Sequence, residues 1–504
     1  MQDSMDADVA DLLIIGGGIN GAAIARDAAG RGLFVHLVEQ HDLARHTSSA
    51  STKLIHGGLR YLEYYEFRLV REALIERERL LAIAPHIIWP LEFVLPHEAH
   101  LRPAWMIRAG LFLYDHLAKR RKLPSSKGVS FAAHPAGKAL KSDFKRGFTY
   151  ADCWVEDSRL VILNAMDAVE RGARIHTHCK LTSARVEDGI WVAQTEAGPI
   201  RARALVNAAG PWVAEVLSQK LGLNTEKSVR LVKGSHIVTK RLYEGEFAFI
   251  LQNPDGRIVF VIPYEREFSL IGTTDVPFAD DPNKVEISAE ETAYLCESVS
   301  RYFRKSITPS DVVWSYSGVR PLYDDHAADA KAVTRDYVLD LKADAATPPL
   351  LSVFGGKITT SRKLAEHAME KLLPAMGRPV AASWTSEFPL PGGDFTDFDT
   401  YLKEFRQRHP TLQADLAHRL VRAYGTRAEH FAGPDMGEDF GGGLTQAEVL
   451  YLVRHEWART SEDILWRRSR LGLHVPEGTA QRVDQYLQTL GPLADDEQVV
   501  SLRQ

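Results

Sequence analysis

Cysteine is scarce in this chain: three in 504 residues, Cys153, Cys179 and Cys296. They are far apart and form no C-x-x-C pair, so neither a zinc nor an iron–sulfur centre is expected, and no metal ligand is assigned. The odd, low count fits a reducing cytosolic compartment, not a disulfide scaffold. Long apolar runs are lacking as well; nothing approaches the ~18 consecutive apolar residues of a spanning helix. The opening residues, MQDSMDADVADLL, lack the basic-then-apolar order of a secretory leader. Charge of one sign is missing too: 61 Lys and Arg stand against 66 Asp and Glu, a net −5. That gives no global attraction to nucleic acid. There is no internal repeat and no low-complexity tract. What remains is ordinary globular composition, 45% hydrophobic and 25% charged, on a chain long enough for two or three domains.

The strongest local signal is DLLIIGGGINGAAIARDAAGRGLFVHLVEQ, residues 11–40. The apolar run 12–15 reads as a strand buried on both faces. Gly16, Gly18 and Gly21 then form G-x-G-x-x-G: a tight turn, a close approach for a pyrophosphate, and close helix-on-strand packing. The alanine-rich stretch that follows is the helix, ending near Gly30 or Gly32, and 33–38 is the second strand. Glu39 falls where a carboxylate meets the ribose hydroxyls and disfavours a 2′-phosphate.

Three further stretches decide between FAD and NAD. TSSASTKLIHGGLRYLEYYEF (47–67) is rich in small hydroxyl residues and glycine, suited to passing close to a flavin and its pyrophosphate. It contributes Ser48, Ser49, Ser51, Lys53 and His56. ALVNAAGPWV (204–213) is a strand ending in a small-residue turn at Gly210. LLSVFGGKITTSRKLAEHAMEKL (350–372) is a strand, a glycine pair and a helix, with Gly356, Lys357 and Thr359 at its start. A helix N-terminus and a lysine suit the negative charge of a reduced flavin. A site assembled from such scattered pieces points to non-covalently bound FAD.

These motifs, with HLRPAWMIRAGLFLYDHL, KGSHIV, LIGTTD, YSGVRPL and TRDY, resemble the aerobic, quinone-linked glycerol-3-phosphate dehydrogenases. Those are flavoproteins of the D-amino-acid-oxidase-like superfamily, and the likeness runs over nearly the whole chain. It implies oxidation of sn-glycerol 3-phosphate to dihydroxyacetone phosphate, with electrons passing from FAD to quinone. It also implies peripheral attachment to the cytoplasmic face of a cell membrane and leaves a homodimer open. The chemistry needs cations for a phosphate dianion, preferably arginine forks, and a base for the C2 hydroxyl. The resemblance places Arg320 on the phosphate, with Arg60, Tyr61, Thr273, Arg335 and Lys357 around it. Arg320 is expected to project from a strand end. His236 is the expected proton acceptor, its ordinary pKa lying in the useful range. Two rival enzymes share these features: an oxygen-using glycerol-3-phosphate oxidase, and an amino-acid or amine oxidase, which needs fewer cations.

The fold class is α/β, with a Rossmann-like FAD-binding domain of discontinuous segments (8–100, 145–232 and 350–380). Residues 233–349 read as an antiparallel-sheet substrate domain capping the flavin. Residues 386–399, rich in proline and glycine, read as a linker, and 400–504 as a helical C-terminal domain. Residues 101–144 form an amphipathic helical segment. Within it, 102–124 carries Trp105, Met106, Phe112 and Leu113, then a basic block at 119–122, suited to lying in a membrane interface. LWRRSRLG (465–472) is a short basic cluster beside Glu462 and Asp463; no nucleic-acid partner is expected from it.

Overall fold

The computed structural model describes residues 9–98, 102–225, 227–324, 336–344 and 347–491. Two sheets and a helical layer organise them. In the first sheet the strand Val9–Ile15 lies between Gly198–Asn207 and Val35–Val38, all parallel. Arg174–His176 forms one edge; on the other side Leu350–Phe354 is followed by Val338–Lys342, expected in the cap sheet but paired antiparallel here. The helices Ile19–Gly30, Asp157–Glu170 and Ser361–Ala375 bury their apolar faces on one side of this sheet. The hairpin of Leu181–Glu187 and Ile190–Thr195 helps to cover the other side. Cover on both faces is why 12–15 is a continuous apolar run. The glycine turn sits at the carboxyl end of the central strand, where open α/β sheets bind ligands.

The second sheet is mostly antiparallel. The long strands Val229–Lys240 and Val312–Tyr323 pair over most of their length, and Phe268–Gly272, Ile258–Tyr264 and Phe247–Gln252 follow. Two strands expected within the nucleotide-binding pieces belong here instead. Ile88–Pro96 pairs in parallel with Phe247–Gln252 and antiparallel with Arg146–Val155. Their buried faces complete an aromatic cluster that includes Phe93, Phe148, Tyr150 and Trp154. Among the described residues of the segment 101–144, helix is confined to Ala104–His116 and a short turn at Pro135–Lys138; Lys127–Ser130 is a strand paired with Arg146–Val155.

The C-terminal part carries the helices Phe398–Arg408, Ala414–Tyr424, Gln446–Glu456 and Thr479–Thr489. The first is mostly polar, burying only Tyr401 and Phe405, so its apolar period is faint in the sequence. The stretch expected as a linker is a packed strap. Leu390, Pro391 and Gly392 are buried. The Leu390 amide donates to the Ile83 carbonyl at 2.8 Å. A Cβ on Gly392 would stand 2.2 Å from the Tyr424 carbonyl oxygen, so the strap is held against the helical layer.

His86 lies under this strap, fully buried. Neither ring nitrogen has a partner among the described residues. Burial, then the nearby Arg159 and Arg422, hold its pKa well below 6.5. An unfolded histidine takes up a proton near pH 6.5 and folded His86 does not, so acid favours unfolding. Its contribution is intact above that pH and is lost as pH falls, with a slope approaching ~1.4 kcal/mol per pH unit. We expect His86→Leu to flatten the decline of unfolding free energy between pH 6.5 and 5 by about one proton's worth. Denaturant titrations across that range check this; parallel slopes for the two proteins would contradict it.

Candidate active site

The nucleotide half is built on the turn after Val9–Ile15. Gly16 has φ +109°, and a Cβ there would meet the Ala208 carbonyl oxygen at 2.6 Å. A Cβ on Gly21 would stand 1.9 Å from the Gly16 oxygen. The helix Ile19–Gly30 therefore starts hard against the strand, with its N-terminus facing a groove. That groove is lined by Gly16, Gly18, Asn20, Glu39, Ser48, Gly210 and Gly356, among others. Ser48 Oγ accepts from the Ile19 amide at 3.0 Å. Glu39 accepts from the Gly17 amide at 2.7 Å and the His41 amide at 2.9 Å. Burial pushes its pKa up against these hydrogen bonds. Asn20, which the motif reading passed over, donates to the Gly355 carbonyl at 3.1 Å and ties the two glycine turns together.

The 47–53 stretch passes between the two sheets. Thr47 donates to the Val319 carbonyl at 2.7 Å, and Tyr316 donates to the Ser51 carbonyl at 2.8 Å. Gly318 makes room for it, since a Cβ there would stand 2.7 Å from that of Ala50. Three residues expected on the cofactor have their polar atoms engaged within the protein. Ser49 Oγ donates to the His46 carbonyl at 3.2 Å. Ser51 Oγ donates to Asp157 at 2.7 Å, and Lys53 Nζ lies 2.9 and 3.0 Å from the two Asp157 oxygens. Lys53 is fully buried and Asp157 wholly so. No motif marked Asp157 in the sequence.

Beyond this stretch lies a cavity of about 890 Å³ whose walls include His56, Arg60, Tyr61, Thr273, Asp275 and Arg320. The His56 amide donates to Thr359 Oγ1 at 3.3 Å, which joins the start of the 350–372 motif to the wall. Lys357 Nζ stands 4.1 Å over the Tyr61 ring. Arg320 lies inside the strand Val312–Tyr323, opposite Val232, and not at a strand end. Its Nη2 donates to the Thr274 carbonyl at 2.7 Å and lies 3.5 Å from Asp275 Oδ1. A Cβ on Gly234 would stand 2.4 Å from that nitrogen and 2.7 Å from Thr273 Oγ1, so the glycine of KGSHIV leaves the guanidinium its place. Arg335 lies outside the described residues.

His236 is not on either cavity wall. It is buried, stacked on Tyr316 with ring centres 4.8 Å apart, and its Nε2 lies 2.9 Å from Thr52 Oγ1. Its Nδ1 has no partner among the described residues. Burial, then Lys53 and Arg320, hold its pKa well below 6.5, so the ring is neutral.

Residues 11–362 match the family described as FAD dependent oxidoreductase, and 383–495 match the C-terminal domain of alpha-glycerophosphate oxidase. A glycerol-3-phosphate dehydrogenase of Pseudomonas aeruginosa is 54% identical over 497 residues, covering 96% of each chain. A D-erythritol 1-phosphate dehydrogenase of Brucella abortus is 49% identical, covering 94% of this chain and 96% of its own. The crystal structure of a Bacillus halodurans glycerol-3-phosphate dehydrogenase complexed with FAD superposes with a TM-score of 0.73 at 26% identity, over 99% of this chain and 97% of that one. FAD suits the residues present. The groove has backbone amides at a helix N-terminus for a pyrophosphate, no Cβ at Gly16 or Gly21, and a buried acid at the end of the second strand. The chain is an FAD-dependent oxidoreductase and belongs with the glycerol-3-phosphate dehydrogenases of that family.

Proposed function

We propose that the protein oxidises sn-glycerol 3-phosphate to dihydroxyacetone phosphate and passes the electrons to quinone at a membrane surface. The observation that carries this reading is Arg320. Its guanidinium is held at the cavity wall by Thr274 and Asp275, in a place only a glycine at 234 permits. Arg60 shares that wall, and Lys357 is held over Tyr61, itself a wall residue. Together they can neutralise a phosphate dianion, and an arginine fork fixes its orientation. FAD, when bound, supplies the acceptor for the hydrogen and two electrons of C2. His236 is the proposed proton acceptor although it lies behind the cavity wall: its partnerless Nδ1 would take the proton once bound substrate opens a path to it. In the free protein Arg320 helps to depress its pKa. A phosphate dianion on Arg320 offsets that cation, so the imidazole is a stronger base once substrate is bound.

The cavity mouth supports the membrane reading. Tyr64, Tyr65, Phe67, Met106 and Leu113 line it and are exposed, and Trp105 and Phe112 project from the same helix, Ala104–His116. No helix among the described residues is long and apolar enough to cross a membrane. An apolar patch at the mouth suits a surface attachment that gives quinone a path from lipid to the cavity. Two cations of the basic block are engaged within the protein: Arg120 lies 3.5 Å from Asp115, and Lys122 donates to the Thr396 carbonyl at 3.1 Å. The apolar side chains therefore outweigh them.

Anaerobic addition of sn-glycerol 3-phosphate should bleach the flavin bands of the purified protein, and glycerol should not. Faster bleaching by D-erythritol 1-phosphate would assign a four-carbon substrate instead. Oxygen uptake without added quinone or dye would mark an oxidase.

Arg320→Ala should lose about 2–5 kcal/mol in kcat/KM, the range for truncating one partner of a buried charge pair. Arg320→Lys should fall between, and Gly234→Ala should raise KM by displacing the guanidinium. Residual glycerol turnover should barely change. An equal loss toward glycerol would place Arg320 in service of the flavin or the fold.

Trp105→Ser combined with Phe112→Ser should move the protein from vesicle pellet to supernatant. Each side chain is worth about 1.5–3 kcal/mol when fully buried in lipid, so partitioning should fall on the order of 100- to 10,000-fold. Unchanged pelleting would put the membrane surface elsewhere.

A further inference from the structure

The basic cluster LWRRSRLG is not a surface patch. The side chains of Arg467, Arg468 and Arg470 are 5%, 0% and 8% exposed. Each reaches a carboxylate of the nucleotide-binding half, while Arg467 and Arg468 also bond within the C-terminal domain, Arg468 Nε and Nη2 donating to the Glu456 carbonyl at 3.1 and 2.6 Å. Arg468 forms a two-point pair with Asp42, Nη1 to Oδ2 and Nη2 to Oδ1, both at 2.7 Å. Arg467 Nε donates to the same Oδ2 at 2.7 Å, and its Nη atoms take Glu462 and Asp463. Arg470 Nε donates to Glu156 at 2.6 Å, and its Nη2 to Asp157 Oδ1 at 3.1 Å.

The two handles mark the ends of one stretch. Asp42 follows Glu39 in the loop whose Gln40, Ala44, His46, Thr47 and Ser48 line the nucleotide groove. Asp157 holds the far end through Ser51 and Lys53. Between those two residues Thr52 meets His236. Residues 42–53 are thus tied at both ends to a four-residue segment more than 400 positions away in the chain.

We propose that residues 467–470 are a cofactor clamp, by which the C-terminal domain holds residues 42–53 in the shape that receives FAD. Arg467 and Arg468 act on the nucleotide end through Asp42. Arg470 acts through Asp157 on the end beside His236 and the large cavity. All three are positioning residues. The arginines fit this task because a buried carboxylate with a two-point partner has one orientation, which a flexible ammonium does not impose.

The test uses the full chain, stripped of flavin and titrated with FAD by fluorescence quenching. Three single variants are compared: Arg468→Lys, Arg470→Lys and Arg419→Lys. Arg419 is the control. Its pair with Glu448, 2.7 Å on each oxygen, is buried within the C-terminal domain. We expect Arg468→Lys to raise the FAD Kd at least tenfold while leaving kcat at saturating FAD within twofold. Arg470→Lys should change the FAD Kd less than threefold, lower kcat about tenfold with little change in KM, and shift the visible flavin bands. Arg419→Lys should lower the thermal midpoint and leave Kd, kcat and spectrum unchanged. If Arg468→Lys does not accumulate, Arg467→Lys tests the same handle, because its ammonium keeps Glu462 and Asp463 as partners. The clamp is refuted if the 467–470 variants lower only the thermal midpoint, or if Arg419→Lys moves the FAD Kd as far as they do.

Discussion

The Asp157 carboxylate is the point on which the rest of the site depends. It is wholly buried, and it accepts from Ser51, Lys53, Ser158 and Arg470. A charge taken out of water is tolerable only when its lone pairs are met by well-placed donors, and removing one partner of a buried pair costs about 3–5 kcal/mol. The geometry here is therefore stiff. Lys53 shows how closely the charges depend on one another: burial and then Arg470 lower its pKa to about 8, while Asp157 works in the opposite direction. Without that carboxylate a buried ammonium beside an arginine would lose its proton. The Ser51–Lys53 turn would then keep its contacts with Tyr316 and His236 and lose its buried ion pair.

Close packing extends this constraint to the cap sheet. The 47–53 stretch crosses Val312–Tyr323 where that strand carries Gly318, opposite Gly234 in the neighbouring strand. One glycine admits Ala50 and the other admits the Arg320 guanidinium. The cap sheet thus carries two missing side chains side by side, one opening onto the 47–53 stretch that bounds the nucleotide groove and the other onto the Arg320 guanidinium. Side chains flank this gap on both sides: Tyr316 stacks on His236 and donates to Ser51, and Thr47 donates to Val319. Movement of either sheet would disturb both halves of the site together.

What was legible in the sequence was local. Gly16, Gly18, Gly21 and Glu39 lie within one strand–helix–strand unit, and their spacing alone carries the geometry. Alternating apolar strands and helix periods likewise gave an α/β sheet, an antiparallel cap sheet and a helical C-terminal part. The unread parts are made by partners distant in sequence. Ile88–Pro96 and Arg146–Val155 are apolar strands like any others, and only their pairing with Phe247–Gln252 and with each other assigns them to the cap sheet. Asp157 sits in no motif; its meaning comes from Lys53, more than a hundred residues before it. The arginines at 467–470 read only as a short basic cluster, because Asp42, Glu156 and Asp157, which they meet, are distant in sequence. Thr52 matters through its contact with His236, and Tyr316 through its stacking on His236 and its hydrogen bond to Ser51.

Charge also links the cap to the reacting centre. His236 is kept neutral by burial and by two cations, Lys53 on one side and Arg320 on the other. The two differ in what can reach them. Lys53 is sealed behind Asp157, so its charge is fixed whatever occupies the cavity. Arg320 is part-exposed at the cavity wall, its side chain 28% accessible. A phosphate dianion bound at Arg320, as proposed, would therefore change one of the two fields acting on the imidazole and leave the other as it was. A polyol without phosphate changes neither. If Arg320 holds the phosphate and His236 takes the proton, as proposed, the group that binds the substrate would also set how readily its hydroxyl is deprotonated. Discrimination between a phosphorylated and an unphosphorylated alcohol would thus appear in the chemical step as well as in binding, which is what differential stabilisation of a transition state requires.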